Sequence, residues 1–88
     1  MAYKILFLEQ ALKELSSFDK KTIERILYKV STHLVKSPAK LGKQLKGDYA
    51  GFFKYRIGDW RVVYHLDEEN STITITKIGH RKGVYKNK

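Results

Sequence analysis

The stretch Phe52 to Leu66, FFKYRIGDWRVVYHL, decides the fold, and it predicts a β-hairpin. The dipeptide Gly58-Asp59 lies between two runs that are rich in aromatic and β-branched residues, and glycine in the first position supplies the positive φ that a type II′ turn requires. Pairing outward from this turn predicts four cross-strand pairs: Ile57 with Trp60, Arg56 with Arg61, Tyr55 with Val62, and Lys54 with Val63.

The predicted hairpin has one apolar and one cationic face, because side chains alternate between the two faces of a strand. The apolar face carries Phe53, Tyr55, Ile57, Trp60, Val62 and Tyr64. The opposite face carries Lys54, Arg56, Arg61 and His65 without an acidic residue, and we expect it to be open to solvent. Like charges directly opposite each other destabilise a hairpin slightly, so the Arg56–Arg61 pair indicates a polyanionic substrate. The plainer alternative is a solvated outer face on a basic protein.

Composition limits the class of protein. The chain of 88 residues predicts a single domain, 1–88, and its net charge of +9 favours nucleic acid, an acidic protein segment or an anionic membrane as partner. Membrane binding is the weakest of these, since no apolar run approaches the ~20 residues of a spanning helix. The absence of cysteine excludes disulfides and zinc–thiolate sites. With no signal peptide in the first residues, we expect a cytoplasmic protein.

The residues before the hairpin predict a strand and two helices. Tyr3–Phe7 is rich in strand formers, and leucines at helical spacing predict a first helix over Glu9–Leu15. Asp19 is a candidate N-cap for a second helix over Lys20–Lys36, which Ser37-Pro38 should end.

The remaining segments predict a basic connector and a third strand of a meander. The connector, residues 39–49, has apolar anchors at Leu41 and Leu45. After an acidic turn, Thr72–Ile78 alternates as a strand that extends the apolar face and is broken by Gly79. The predicted fold is therefore α+β: an N-terminal strand and an αα-hairpin packed on a small antiparallel sheet, in the order β-α-α-β-β-β.

A second group of candidate site residues follows this last strand, in GHRKGVY. We expect His80, Arg81, Lys82 and Tyr85 to fold towards the cationic face, although a basic C-terminus is often only a solubilising tail. Together the two groups suit cleavage of RNA by its own 2′-hydroxyl, which needs a base, positive charge on the phosphorane and an acid for the leaving oxygen. His65 and His80 are candidate acids or bases, whereas His33 suits a surface role. No metal site or cofactor is predicted.

These residues carry a resemblance to the RelE/ParE superfamily of type II toxin–antitoxin toxins. It covers nearly the whole chain and includes A-L-K-E-L, the S-P that ends the helical hairpin, L-K-G, K-Y-R-I-G-D-W-R-V-V-Y and G-H-R-K-G-V-Y. The resemblance implies a bent antiparallel sheet with two N-terminal helices, and an antitoxin that wraps the toxin with an acidic or amphipathic segment. RelE-like members enter the ribosomal A site and cut mRNA, leaving a cyclic phosphate and a 5′-hydroxyl.

The motif of the RNase members can be carried over residue by residue. Lys54 and Arg56 match two basic positions on the second strand, although the family often has lysine at the latter. Arg61 matches an arginine that stabilises the phosphate, and Arg81 one that is implicated in transition-state stabilisation and leaving-group protonation. Tyr85 matches a tyrosine that stacks on the substrate. Arginine at position 56, in place of the family's lysine, leaves one candidate base fewer, so Lys54 or Tyr85 would act as the base.

The resemblance implies mRNA, the 30S A site and 16S rRNA as further partners. The sequence leaves two alternative functions open, inhibition of DNA gyrase and non-catalytic binding of nucleic acid. ParE-like members inhibit DNA gyrase and generally lack the RNase cations, and a basic module that binds nucleic acid without catalysis would have the same composition.

Overall fold

Five strands and three helices make up the part of the chain that the computed structural model describes, residues 3–45 and 51–80. The strands are β1 (Lys4–Phe7), β2 (Lys43–Gln44), β3 (Phe52–Ile57), β4 (Trp60–Asp67) and β5 (Thr72–His80). The helices are α1 (Glu9–Ser16), α2 (Lys20–Lys29) and α3 (Pro38–Leu41), and a π-helical turn, Val30–Leu34, continues α2. The predicted strand–helix–helix–meander order is confirmed, and α3 and β2 are additions to it.

The strands form one sheet in the order β1-β5-β4-β3-β2. The meander β3–β4–β5 is antiparallel, as predicted, and β2 joins it antiparallel to β3. The sheet as a whole is mixed, because β1, for which no pairing was predicted, pairs with β5 in parallel, with Lys4 opposite Thr72. The helices carry the chain from β1 to β2 at the opposite edge of the sheet. The antiparallel strands β3, β4 and β5 then bring the chain back beside β1, and β5 runs in the same direction as β1.

The hairpin has the predicted register, and all four pairs counted outward from its turn are confirmed. Gly58 has a φ of 61°, and among the described residues other than glycine only Ser71 has a positive φ. Asp59 is therefore in the negative-φ region, as a type II′ turn requires.

We expect Gly58→Ala to lower the free energy of unfolding by about 1–2 kcal/mol, the cost of a left-handed backbone for a residue with a Cβ. The added methyl group would also lie 3.2 Å from an Arg25 guanidinium nitrogen. Urea denaturation measures the change, and Asp59→Ala, at the negative-φ turn position, is the matched control. Equal stabilities of the two variants would contradict the turn assignment.

The core lies between the helices and one face of the sheet. The helices contribute Ala11, Leu15, Ile26, Val30 and Leu34, and the sheet contributes Ile57, Val62, Tyr64, Leu66, Ile73, Ile75 and Ile78. The three other aromatic residues of the predicted apolar face, Phe53, Tyr55 and Trp60, are half-buried against this cluster. The apolar face of the hairpin and its extension by β5 are thus confirmed.

The second helix departs from the sequence prediction at its end. The Asp19 carboxylate accepts a hydrogen bond from the Thr22 N–H at 3.4 Å, which confirms the N-cap. After Lys29 the backbone hydrogen bonds widen from the α-helical to the π-helical spacing, and the Val35 N–H donates to the Val30 carbonyl. The Thr32 hydroxyl donates to the Tyr28 carbonyl one turn earlier, a bond that bends helices. The helical segment therefore ends at Leu34, two residues before the predicted Lys36, and Pro38 begins α3.

Strand β5 also differs from the prediction, because Gly79 does not break it. Val63 pairs with Lys77 but its neighbour Tyr64 pairs with Ile75, so Thr76 is an extra residue in β5, a β-bulge. The bulge shifts the alternation by one residue. Beyond it Ile78 faces the core, and Gly79 pairs with Arg61 inside the strand.

Glu14 joins α1 to β5 next to this bulge. Its carboxylate accepts hydrogen bonds from the Ile78 N–H at 2.7 Å, the Lys77 ammonium at 3.1 Å and the Gln10 amide at 3.1 Å. Burial acts to raise the pKa of Glu14, but these hydrogen bonds outweigh it, so its pKa lies below the usual value.

We expect Glu14→Ala to lower the free energy of unfolding by about 1–3 kcal/mol at neutral pH, because the Ile78 N–H loses its acceptor. The contribution is complete above the unfolded-state pKa of about 4.3 and disappears as the pH falls through the lower folded-state value. Denaturation at several pH values should therefore show wild type and variant converging in acid. Glu24→Ala, on exposed α2 surface, is the control, and a pH-independent difference would refute the role of the carboxylate.

Candidate functional site

Four cations from three neighbouring strands line a pocket of about 400 Å³ on the outer face of the sheet. Its lining residues are Leu41, Lys43, Lys54, Arg56 and Arg61. The strand pairing explains the grouping: Lys43 lies opposite Lys54, and Arg56 lies opposite Arg61. The three cations of the predicted cationic face are thus brought together, and β2 adds a fourth.

The two arginines of the pocket differ in their surroundings. Arg56 is exposed, and its Nε donates a hydrogen bond to the Gly58 carbonyl at 3.2 Å, which turns the guanidinium back along the hairpin. Arg61 is half-buried, and its Nε is the one buried side-chain polar atom without a partner in the described part of the chain. A buried donor without an acceptor costs about 1–3 kcal/mol. Such a donor beside an open pocket is suited to an anion that supplies the acceptor.

Lys43 is the pocket residue that sequence reasoning missed. The connector was predicted to lack secondary structure, and a strand of two residues has no alternation by which to recognise it. The predicted anchor Leu41 is not buried either, since 45% of its surface is exposed at the edge of the pocket.

The face around the pocket is less open and less uniformly basic than predicted. Val63, opposite Lys54, is only 7% exposed. Strand β4 extends to Asp67, and alternation places this residue on the same face as His65. The pKa of Asp67 is lowered, mainly by hydrogen bonds from Asn70 and also by the charge of His65. The prediction of an acid-free face is therefore wrong at this end of the strand.

His65 lies on the cationic face but does not line the pocket. Its ring contacts Phe52 edge-on, with centroids 5.1 Å apart. His80 lies on the other face, because the bulge in β5 places it opposite Trp60, and the two rings meet edge-on at 5.3 Å. His33 is exposed in the π turn, as its predicted surface role requires.

Three of the predicted site residues, Arg81, Lys82 and Tyr85, lie outside the described residues. Within residues 3–45 and 51–80, no group of three or more His, Cys, Asp or Glu side chains could hold a metal ion. No helix in the same ranges is long and apolar enough to cross a membrane.

The fold and the sequence place the chain in the RelE/ParE superfamily of toxins. The structure matches that in the toxin–antitoxin complex RelBE2 of Mycobacterium tuberculosis with a TM-score of 0.88 and 27% identity, covering 92% of this chain and 100% of that one. Toxin RelE of Mycobacterium tuberculosis is 30% identical over 84 residues, 96% of this chain and 87% of its own length. Toxin RelG of the same organism is 28% identical over 86 residues, 98% of this chain and 99% of its own.

A protein-family model, described as the ParE toxin of type II toxin–antitoxin system, parDE, matches residues 5–85 of the chain. The chain belongs to this family, within the RelE/ParE superfamily, and is the toxin component of a toxin–antitoxin system.

Proposed function

We propose that this toxin is a ribosome-dependent endoribonuclease that cuts mRNA in the A site. The observation that carries the proposal is the pocket of four cations with an unpartnered, buried Arg61 Nε. A phosphodiester supplies negative charge, and its oxygens can accept a hydrogen bond from the Arg61 Nε. Arginine is well suited to hold it, because the planar guanidinium matches phosphate oxygens with two parallel hydrogen bonds.

The reaction needs no cofactor. A base takes the proton of the 2′-hydroxyl as its oxygen attacks the adjacent phosphorus, the bond from phosphorus to the 5′-oxygen breaks, and an acid protonates that oxygen. The products are a 2′,3′-cyclic phosphate and a 5′-hydroxyl. Arg56 and Arg61 would stabilise the charge of the phosphorane, and Lys54 is the candidate base within the pocket.

Arg81 and Tyr85 complete the proposed site through the resemblance alone. Arg81 would stabilise the transition state and protonate the leaving oxygen, and Tyr85 would stack on a base of the mRNA or act as an alternative base. Lys82 would add a backbone contact. His65, which lies on the same face but does not line the pocket, is expected to contribute only at its periphery. His80 lies on the other face, so we expect it not to contact an RNA phosphate in the pocket.

The proposed partners are mRNA, the 30S A site with its 16S rRNA, and an antitoxin with an acidic or amphipathic segment, all in the cytoplasm. The structural relative above was solved as a toxin–antitoxin complex. An acidic segment would neutralise a toxin with a net charge of +9.

Primer extension on a defined mRNA bound to purified ribosomes tests the proposal. The toxin should produce discrete cuts at the A-site codon, and these should be absent when ribosomes are omitted and when Arg81→Ala replaces the wild type. Growth arrest by the wild-type toxin without any mRNA cleavage would refute it.

Inhibition of DNA gyrase is the competing function, and the description of the matching family as ParE favours it. The four-cation pocket favours cleavage instead, because the resemblance implies that ParE-like members generally lack these cations. A supercoiling assay with purified gyrase separates the two: we expect no inhibition at toxin concentrations that cut mRNA. A non-catalytic nucleic-acid-binding module would neither cleave mRNA nor arrest growth in an Arg81-dependent way.

A further inference from the structure

We infer that Lys43 is a substrate-binding residue that contacts a second phosphate of the bound RNA, next to the one held by Arg56 and Arg61. The inference rests on the proposed function and adds a residue to its site. It follows from the position of β2, which brings Lys43 opposite Lys54 on the face that carries the pocket.

The protein core holds the segment that carries Lys43. The hydroxyl of the fully buried Tyr64 donates a hydrogen bond to the Pro38 carbonyl at 2.5 Å, which ties α3 to the centre of the sheet. Gly42 packs directly on the same side chain, because a Cβ there would lie 1.9 Å from the Tyr64 hydroxyl oxygen. The residue that follows Gly42 is Lys43. Its backbone is thus fixed from below, while its side chain is exposed.

Strand spacing separates the cations into two groups. Lys43 and Arg61 are two strands apart and offset by two residues along the strand, because they pair with Lys54 and Arg56. With a strand spacing of about 4.8 Å and a rise of about 3.3 Å per residue, their backbones are separated by about 12 Å. The Arg56–Arg61 pair bridges β3 and β4, whereas the Lys43–Lys54 pair bridges β2 and β3. A single phosphate can contact one of these cross-strand pairs. In an extended RNA strand, the next phosphate can then contact the other pair.

The charge balance of the pocket supports a ligand with more than one phosphate. Each of its two cross-strand pairs places like charges opposite each other, which destabilises the sheet. No acidic residue lines the pocket within the described part of the chain. Two adjacent phosphates would place one anion beside each cross-strand pair.

The test is the salt dependence of RNA binding. The probe is a short single-stranded RNA with 2′-O-methyl groups, which cannot be cleaved because the attacking hydroxyl is blocked, and its binding to the full-length toxin is measured by fluorescence anisotropy. Each phosphate contact contributes about 0.7 to the slope of log K against log salt for a single strand. We expect Lys43→Ala to reduce the magnitude of the slope by about 0.7 and to weaken binding equally for two probes of unrelated sequence.

Lys40→Ala is the matched control, because Lys40 is an exposed lysine of α3 that does not line the pocket. It should leave the slope unchanged. An unchanged slope in Lys43→Ala, or an equal change in both variants, would overturn the inference. A loss confined to one probe sequence would also overturn it, since a phosphate contact does not distinguish bases. A failure of the proposed function would give a different result. The wild-type toxin would then not cleave mRNA on ribosomes, although the salt dependence of its RNA binding would still change in Lys43→Ala.

Discussion

Arg61→Ala should lower the rate of mRNA cleavage on programmed ribosomes by about 10²–10³-fold, the typical cost of removing one donor that stabilises transition-state charge. Arg61 is expected to have the largest effect of the described pocket residues, because its Nε is already buried without an acceptor. This nitrogen therefore needs no desolvation when the phosphorane forms. Single-turnover cleavage of a defined mRNA measures the rate.

Two further variants make the result interpretable. Arg61→Lys keeps the charge but loses the planar fork, so its rate should lie between those of wild type and Arg61→Ala. Lys21→Ala removes an exposed cation from α2 and should leave the rate within a factor of about two, since a distant surface charge is screened by salt. Cleavage by Arg61→Ala at the wild-type rate would exclude this residue from the reaction.

Tyr64→Ala should lower the free energy of unfolding by about 3–5 kcal/mol, the range for truncating a large aromatic side chain in a core. The residue has no solvent exposure, its ring stacks on Phe53 with centroids 5.6 Å apart, and its hydroxyl holds Pro38. Tyr64→Phe keeps the ring and should cost about 1–3 kcal/mol, because the Pro38 carbonyl then loses its donor. Urea denaturation of both variants measures these differences.

The same pair of variants has a predicted pH dependence. Burial, and secondarily the charge of Tyr55, raises the pKa of the Tyr64 hydroxyl above its ordinary value of about 10. The stabilisation by the neutral phenol is therefore complete below pH 10 and declines above it, as the unfolded chain ionises first. Wild type and Tyr64→Phe should converge in alkaline solution. A difference that stays constant to high pH would refute the role of the hydroxyl.

The sequence predicted the hairpin well because its determinants are local. A Gly-Asp turn and the alternation on either side of it set the register, and the register alone places Lys54, Arg56 and Arg61 on one face. The helix N-cap at Asp19 is equally local, and the structure confirms it.

The errors concern features that depend on distant contacts. The face on which the residues of β5 beyond Thr76 lie depends on a bulge that has no signature in TITITKI. The sequence therefore predicts the wrong face for His80. The parallel pairing of β1 with β5, which the sequence left open, depends on the path of the chain through β2, β3 and β4. The position of Lys43 depends on the packing of Gly42 against Tyr64, 22 residues further along the chain.

By itself, then, the sequence determined the α+β class, the two faces of the hairpin and three of the four cations of the pocket. Alternation and turn chemistry act over a few residues and do not need the rest of the fold. Only the tertiary structure decided that β2 brings a fourth cation beside them, that His80 faces away, and that Arg61 is buried without an acceptor. These features arise because side chains far apart in sequence share one core, and close packing leaves them one arrangement.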